Sequence, residues 1–191
     1  IKEVSFGNDG NISREKLENC INSDLANNYG NLCQRVLSFC EKNLQLKIGE
    51  TINFNDDDKN EFLKFTDNYE NVIRHVDCQD INSYINFIVE RLFSANKYFN
   101  DQEPWNKKKD VIRLNTIIYT SLELIRKITI LLYPIIPETT LKVMGIFNYA
   151  EKDISFEILK DDNYIKKGSD INKIGILFKK IEKKWLTHIA I

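Results

Sequence analysis

The sequence has few of the residues from which metal sites and catalytic sites are commonly built. It contains two histidines and four cysteines in 191 residues, and no two cysteines form a Cys-x-x-Cys pair. A zinc site needs several such ligands at close spacing, so we expect no bound metal. A glycine-rich phosphate loop, a nucleophile motif and a His-Glu-x-x-His pattern are also missing. We therefore predict no catalytic residue in this chain.

The charge balance excludes a protein that binds nucleic acids through a broad positive field. The 27 basic residues are matched by 28 acidic ones, which leaves a formal net charge of -1. Proteins that bind nucleic acids through a broad positive field are strongly basic, so any such contact here must be local. No signal peptide and no uninterrupted apolar span of about 18 residues is present. We expect a cytoplasmic protein that does not enter a membrane.

Apolar residues recur at helical spacing over most of the chain. This pattern predicts helices over about 13–44, 58–76, 80–99 and 111–132. The first run is long enough that we expect a break near Asn22 and Ser23. Pro137 should open one more short helix, which Gly145 would close in a left-handed conformation.

Three consecutive acidic residues, Asp56, Asp57 and Asp58, stand before the second of these helices. They lack the glycine and the terminal glutamate of a calcium-binding loop. Asp58 lies three residues before Glu61, which is the spacing of a capping box at the start of a helix. We interpret the run as solvated residues that cap this helix.

The helical pattern weakens after Asn148. Ile154, Phe156 and Ile158 alternate with polar neighbours, which favours a short extended piece, and two glycines interrupt the polar stretch that follows. We predict an all-α fold: a helical bundle over residues 1–150, with a short irregular C-terminal appendage. That appendage, residues 151–191, should pack on the bundle.

The most distinctive local feature is Glu103-Pro104-Trp105, which joins two amphipathic segments and precedes Lys107, Lys108 and Lys109. Proline fixes its own φ and disfavours the α conformation at the residue before it, so the preceding helix should end there. An exposed aromatic ring beside positive charge suits the stacking of an unpaired base. The alternative is that Trp105 packs into the bundle as a junction residue.

Several longer motifs resemble the C-terminal part of bacterial methionyl-tRNA synthetases. The resemblance covers residues 4–148 well and the tail loosely. In order, the motifs are Phe-Gly-Asn-Asp-Gly-Asn-Ile-Ser at 6–13, Asn-Ser-Asp-Leu-Ala-Asn at 22–27, Gly-Asn-Leu-Cys-Gln-Arg at 30–35, Pro-Trp at 104–105 and Leu-Tyr-Pro-Ile-Ile-Pro at 132–137. In these class I aminoacyl-tRNA synthetases, an α-helical bundle reads the CAU anticodon of methionine tRNA.

The resemblance implies an anticodon-binding fragment without its catalytic domain. The family's two ATP-handling signatures, His-Ile-Gly-His and Lys-Met-Ser-Lys-Ser, are absent from these residues. Residues 1–12 would be the linker from the missing catalytic domain, and ATP and magnesium would act in that domain. The expected partners are the anticodon loop of methionine tRNA and the chain's own catalytic domain, with no DNA. The full-length protein would be a methionine-tRNA ligase, whereas this fragment should be inactive alone.

The same resemblance implies that four residues contact the anticodon: Asn31, Arg35, Pro104 and Trp105. Asn31 and Arg35 are four apart, so on a helix they share one face. Their side chains offer donors and an acceptor for base edges or phosphate, and Trp105 offers a stacking surface.

Some neighbouring residues are weaker candidates for RNA contact. Lys107, Lys108, Lys109 and Arg113 could contact phosphate, although charged residues at the start of a helix are also explained as solvated residues without a function.

Two other functions also fit the sequence pattern. A helical protein-interaction module without an RNA role would bury Trp105 or present it to a partner helix. The anticodon-binding domain of another class I synthetase, for leucine, isoleucine or valine, is the second alternative.

Overall fold

The computed structural model describes residue 10, residues 13–162 and residues 164–181. Within these ranges the chain forms seven α-helices, numbered α1 to α7. They span Arg14–Cys20, Asn31–Leu44, Asp56–Thr66, Tyr69–Asp77, Ile81–Asp101, Val111–Leu132 and Pro137–Met144. The same ranges hold no β-strand, only an isolated bridge between Lys47 and Asp170. The all-α prediction is confirmed. No helix in this part of the chain has the length and apolar composition that a membrane crossing requires.

Helices α1 and α2 belong to one continuous helical run. The π-helical segment Ile21–Gly30 joins them, and the residues at both junctions have right-handed helical angles. The predicted break near Asn22 and Ser23 is therefore wrong. The hydrogen-bond spacing changes from i→i+4 to i→i+5, which widens the helix without interrupting it. Ser13 caps the run, since its hydroxyl accepts a hydrogen bond from the Lys16 amide at 3.2 Å.

Helix α3 begins two residues before the predicted position, and its cap differs from the prediction. Asn55 is the N-cap residue, and its side chain and that of Asp58 exchange hydrogen bonds with each other's backbone amides. Asp58 is also fully buried. Its carboxylate is bound by the guanidinium of Arg113 at 2.5 Å and by the hydroxyl of Tyr98. The interpretation of Asp58 as a solvated residue is wrong because an arginine 55 positions later neutralises it.

The predicted corner between the two longest helices is present. α5 ends at Asp101, and Glu103 takes left-handed angles (φ 45°, ψ 58°) directly before Pro104. The segment Pro104–Asn106 forms one 3-10 turn, after which α6 begins at Val111. Every α6 residue from position 116 to position 132 is buried. A helix that is buried on all sides lies at the centre of a protein, and α2, α3, α5 and α7 surround α6.

The chain after α6 departs from the prediction in two places. α7 starts at Pro137 as expected, but Gly145 has a right-handed φ of -61°. The left-handed residue is Asn148 (φ 62°), which ends the following 3-10 turn, and asparagine tolerates that conformation. Of the residues predicted to be extended, Ile154 has extended backbone angles, but Phe156–Lys160 form a 3-10 turn.

Three charged residues of α6 hold residues 158–161 and Ile165 against the bundle. Arg126 and Lys127 have fully buried side chains that donate to backbone carbonyls, and Glu123 accepts a hydrogen bond from a backbone amide at 2.6 Å. Burial lowers the pKa of Lys127, and its ion pair with the carboxylate of Asp162 at 2.8 Å opposes that shift. The backbone partners are Ile158, Leu159, Asp161 and Ile165.

Two cysteines are core residues of α2. Burial raises the pKa of Cys33 to about 12 and that of Cys40 to about 11. Because the thiolate is the reactive form, both side chains are unreactive at neutral pH. Their role is packing.

Candidate nucleic-acid interface

The first turns of α2 place two of the predicted site residues at the surface. Asn31 is exposed, and Arg35 follows one helical turn later in a half-buried position. The neighbouring α5 is held beside this stretch by a polar contact: the Asn96 amide donates to the Asn28 side-chain oxygen at 2.7 Å. The packing of α2 against α5 thus fixes the surroundings of both residues.

Arg35 is held by the last turn of α5. Its Nη2 atom donates to Oδ1 of Asn100 at 2.5 Å, and its guanidinium carbon lies 5.3 Å from the centre of the Phe99 ring. The second distance is within the range of a cation–π contact. A guanidinium has five N–H donors, so these contacts orient Arg35 and leave it donors for a ligand.

Trp105 lies at the surface and contacts the same ring, Phe99, as Arg35 does. The indole is 42% exposed, whereas Pro104 before it is buried and anchors the 3-10 turn. The Trp105 and Phe99 rings meet edge to face, with centroids 6.3 Å apart and an interplanar angle of 72°. Such a contact stabilises the orientation of the indole. The alternative in which Trp105 is buried in the bundle does not describe this structure.

Sequence reasoning missed the two residues that connect the predicted ones. Phe99 contacts both Arg35 and Trp105, and Asn100 is the hydrogen-bond partner of Arg35. Both belong to the last turn of α5, directly before the Pro104-Trp105 corner. Their position just before that corner is the only sequence feature that points to them, because the helical periodicity predicts that Phe99 is an ordinary core residue. We call the surface formed by Asn31, Arg35, Asn100 and Trp105 the polar-aromatic face.

The basic residues after the corner divide into two groups. Lys107, Lys108 and Lys109 are exposed beside Trp105. Arg113 is mostly buried and binds Asp58 through two nitrogens and Gln102 through one. Its donors serve the fold, so only the three lysines remain candidates for phosphate contact. Within the described ranges, no three His, Cys, Asp or Glu residues are grouped as a metal ion would require.

The polar-aromatic face combines an aromatic ring, a guanidinium and side-chain amides within one surface. An unpaired base can stack on the ring, and its edge can bind to the amides and the guanidinium. The face has no acid-base pair and no nucleophile, so its chemistry is that of a binding surface.

Comparison with known proteins gives a consistent result. The family model for the anticodon-binding domain of methionyl-tRNA ligase matches residues 53–189. The methionine-tRNA ligase of Thermotoga maritima is 33% identical over 189 residues, which cover 96% of this chain and 29% of the relative. That of Mycobacterium leprae is 35% identical over 161 residues, covering 82% of this chain and 30% of the relative. Asn31 and Arg35 lie before the residues that the family model matches. The match to the Thermotoga maritima protein covers 96% of this chain, so it includes both residues.

The fold has solved counterparts as well. A crystal structure of the free Mycobacterium tuberculosis methionyl-tRNA synthetase superposes with a TM-score of 0.87 at 32% identity. The superposition covers 95% of this chain and 37% of that one. The chain therefore spans about a third of the length of the proteins that it matches.

Proposed function

Since this chain belongs to the methionyl-tRNA ligase family, in its anticodon-binding part, we propose that the polar-aromatic face binds the anticodon loop of methionine tRNA. The observation that carries the proposal is the contact of Arg35 and Trp105 with one ring, that of Phe99. Phe99 thus connects a directional donor group with a partly exposed stacking surface. An unpaired base needs both from a protein.

Each residue has a role that follows from its surroundings. Trp105 stacks on one base of the CAU anticodon, and Pro104 holds the turn that presents the indole. Asn31 and Arg35 bind base edges or the adjoining phosphate. Asn100 and Phe99 orient Arg35 before the RNA arrives, which lowers the entropy cost of binding.

The activity belongs to the longer protein of which this chain is a part. We propose that the whole protein is a cytoplasmic ligase that joins methionine to its tRNA, with ATP and magnesium bound in the catalytic domain. In this proposal residues 1–12, which apart from residue 10 lie outside the described residues, are the linker from that domain. Residues 1–150 are the anticodon-binding domain, and residues 151–191 are an extension whose described part, 151–162 and 164–181, packs on it. The partners are methionine tRNA and the chain's own catalytic domain.

One prediction concerns the isolated 191-residue chain. It should catalyse no methionine-dependent exchange of pyrophosphate into ATP, because it lacks both ATP-handling signatures. The assay is run beside the full-length protein, which should be active. Exchange above background by the purified 191-residue chain would contradict the proposal that the catalytic site lies in another domain of the longer protein.

A second prediction concerns anticodon choice. The chain should bind a CAU stem-loop more tightly than stem-loops with altered anticodons. Arg35→Ala should weaken binding and narrow that preference if the arginine reads a base, since a lost base contact costs about 1 to 3 kcal/mol. Titration of both proteins with each stem-loop at two salt concentrations measures the effect.

Controls separate the two possible roles of Arg35 and test the rival function. A contact only to phosphate would weaken all stem-loops alike and reduce the salt dependence. Lys142→Ala, at an exposed lysine of α7, is the matched loss of one positive charge and should change neither the affinity for the stem-loops nor its salt dependence. A protein-interaction module would bind none of the stem-loops, and that result would refute the proposed function.

A further inference from the structure

A groove lies next to Asn31, between the long helical run and the C-terminal segment. It has a volume of about 580 Å³, which is within the range of small-molecule sites. One wall is formed by the turns that carry Asn27, Asn31 and Gln34. The other wall is formed by residues 176–178 and Lys180. No motif or spacing in the sequence assigns a role to Gln34 or Lys180.

The C-terminal wall is held in place by specific contacts. The Asn22 side chain exchanges two hydrogen bonds with the backbone of Ile181, at 2.9 Å and 2.8 Å. The Phe178 ring packs 6.2 Å from that of Tyr29. Gly30 permits this approach, because a Cβ atom there would lie 3.2 Å from the Phe178 ring. The groove is thus a built feature of the fold.

The lining of the groove selects for a polar, negatively charged ligand. Asn27, Asn31 and Gln34 follow one another at intervals of four and three residues, so their exposed amides share one helix face. Each amide offers both donors and an acceptor, as a base edge requires. Lys180 adds a positive charge, and no carboxylate lies among the described residues that line the groove.

We propose that this groove binds a nucleotide of the anticodon loop adjacent to the nucleotide that Asn31 contacts. Gln34 binds the edge of its base, and Lys180 binds its phosphate. This inference rests on the proposed function, and it extends the RNA surface from the helices to the C-terminal segment. That segment then has a direct role in binding as well as a structural one.

The test is to titrate Gln34→Ala and Lys180→Ala with the CAU stem-loop at several salt concentrations. Each variant should bind about three- to tenfold more weakly. Lys180→Ala should also reduce the slope of log affinity against log salt by roughly 0.7, the value for one phosphate of a single strand. Gln34→Ala should leave the slope unchanged. Gln34→Glu should bind more weakly than Gln34→Ala, because it places a negative charge beside the phosphate.

Matched controls make the result decisive. Lys180→Arg keeps the charge and should retain most of the affinity, and Lys142→Ala should bind like the wild type. All these positions are exposed, so the melting temperatures should agree.

If Gln34→Ala and Lys180→Ala bind like the wild type while Trp105→Ala does not, this inference is overturned and the proposed function stands. If Lys180→Ala binds more weakly with an unchanged salt slope, the phosphate contact is refuted. If the wild type binds no stem-loop, both proposals fail.

Discussion

Trp105→Ala should weaken binding of the CAU stem-loop by about one to two decades at fixed salt. Stacking of a base on an aromatic side chain contributes roughly 1 to 3 kcal/mol, and about 1.4 kcal/mol corresponds to a factor of ten. Stability should change little, because the indole is 42% exposed and meets Phe99 only edge to face. Stem-loop titration and thermal melting of the same preparations measure the two effects separately.

Two further variants establish what the Trp105 result means. Trp105→Phe keeps an aromatic surface and should retain much of the affinity. Phe99→Ala removes a buried ring, so it should cost about 3 to 5 kcal/mol of stability and also loosen both Arg35 and Trp105. If Trp105→Ala instead melts far below the wild type, yet binds CAU with unchanged affinity once folded, the stacking role is wrong.

The sequence predicts the elements of this fold better than the contacts between them. α6 is evident from its apolar residues, and the end of α5 is evident from Pro104, because both follow from local chemistry. The left-handed residue after α7 was assigned to Gly145, but the turn that continues past this glycine moves it to Asn148. Local preference identifies the type of cap, whereas packing decides which residue occupies it.

Contacts between distant residues account for the other differences. The sequence alone predicts that Asp58 is solvated, because its ion pair with Arg113 joins residues that are far apart in the chain. The sequence also leaves open whether Trp105 is a core or a surface residue, and the structure shows that it contacts Phe99 and stays exposed. The candidate site was found through motifs that resemble a known family. The residues that orient Arg35 have no such motif and became apparent only in three dimensions.

A large stability effect is also expected from a residue that the helical pattern does not single out, Glu123 in the middle of α6. Its carboxylate binds Nε of Arg126 at 2.6 Å, the hydroxyl of Tyr119 at 3.1 Å and the Ile165 amide at 2.6 Å. The side chains of Glu123 and Arg126 are both fully buried. Burial raises the pKa of Tyr119, and the neighbouring carboxylate raises it further, so the hydroxyl remains a donor.

Glu123→Ala should lower the melting temperature by about 6 to 20 °C. Removing one partner of a buried ion pair costs about 3 to 5 kcal/mol, and each kcal/mol shifts Tm by about 2 to 4 °C in a domain of this size. The cost arises because the Arg126 charge stays buried and loses the Glu123 carboxylate, while the backbone carbonyls and the ring of Tyr164 that also contact it carry no charge. Differential scanning calorimetry measures the shift.

The matched control for Glu123→Ala is Asp101→Ala, which breaks an ion pair with Lys97 in which the two side chains are 54% and 75% exposed. Exposed pairs contribute little, so Tm should hardly change. Hydrogen exchange adds a second readout, because residues 158–161 and Ile165 are held by the same cluster. Their amides should lose protection in Glu123→Ala before those of α6 do. A shift of only one or two degrees, with the tail still protected, would show that the backbone carbonyls alone are enough to stabilise Arg126. In that case the C-terminal segment is held by its apolar contacts, and the charged cluster of α6 does not fix its position.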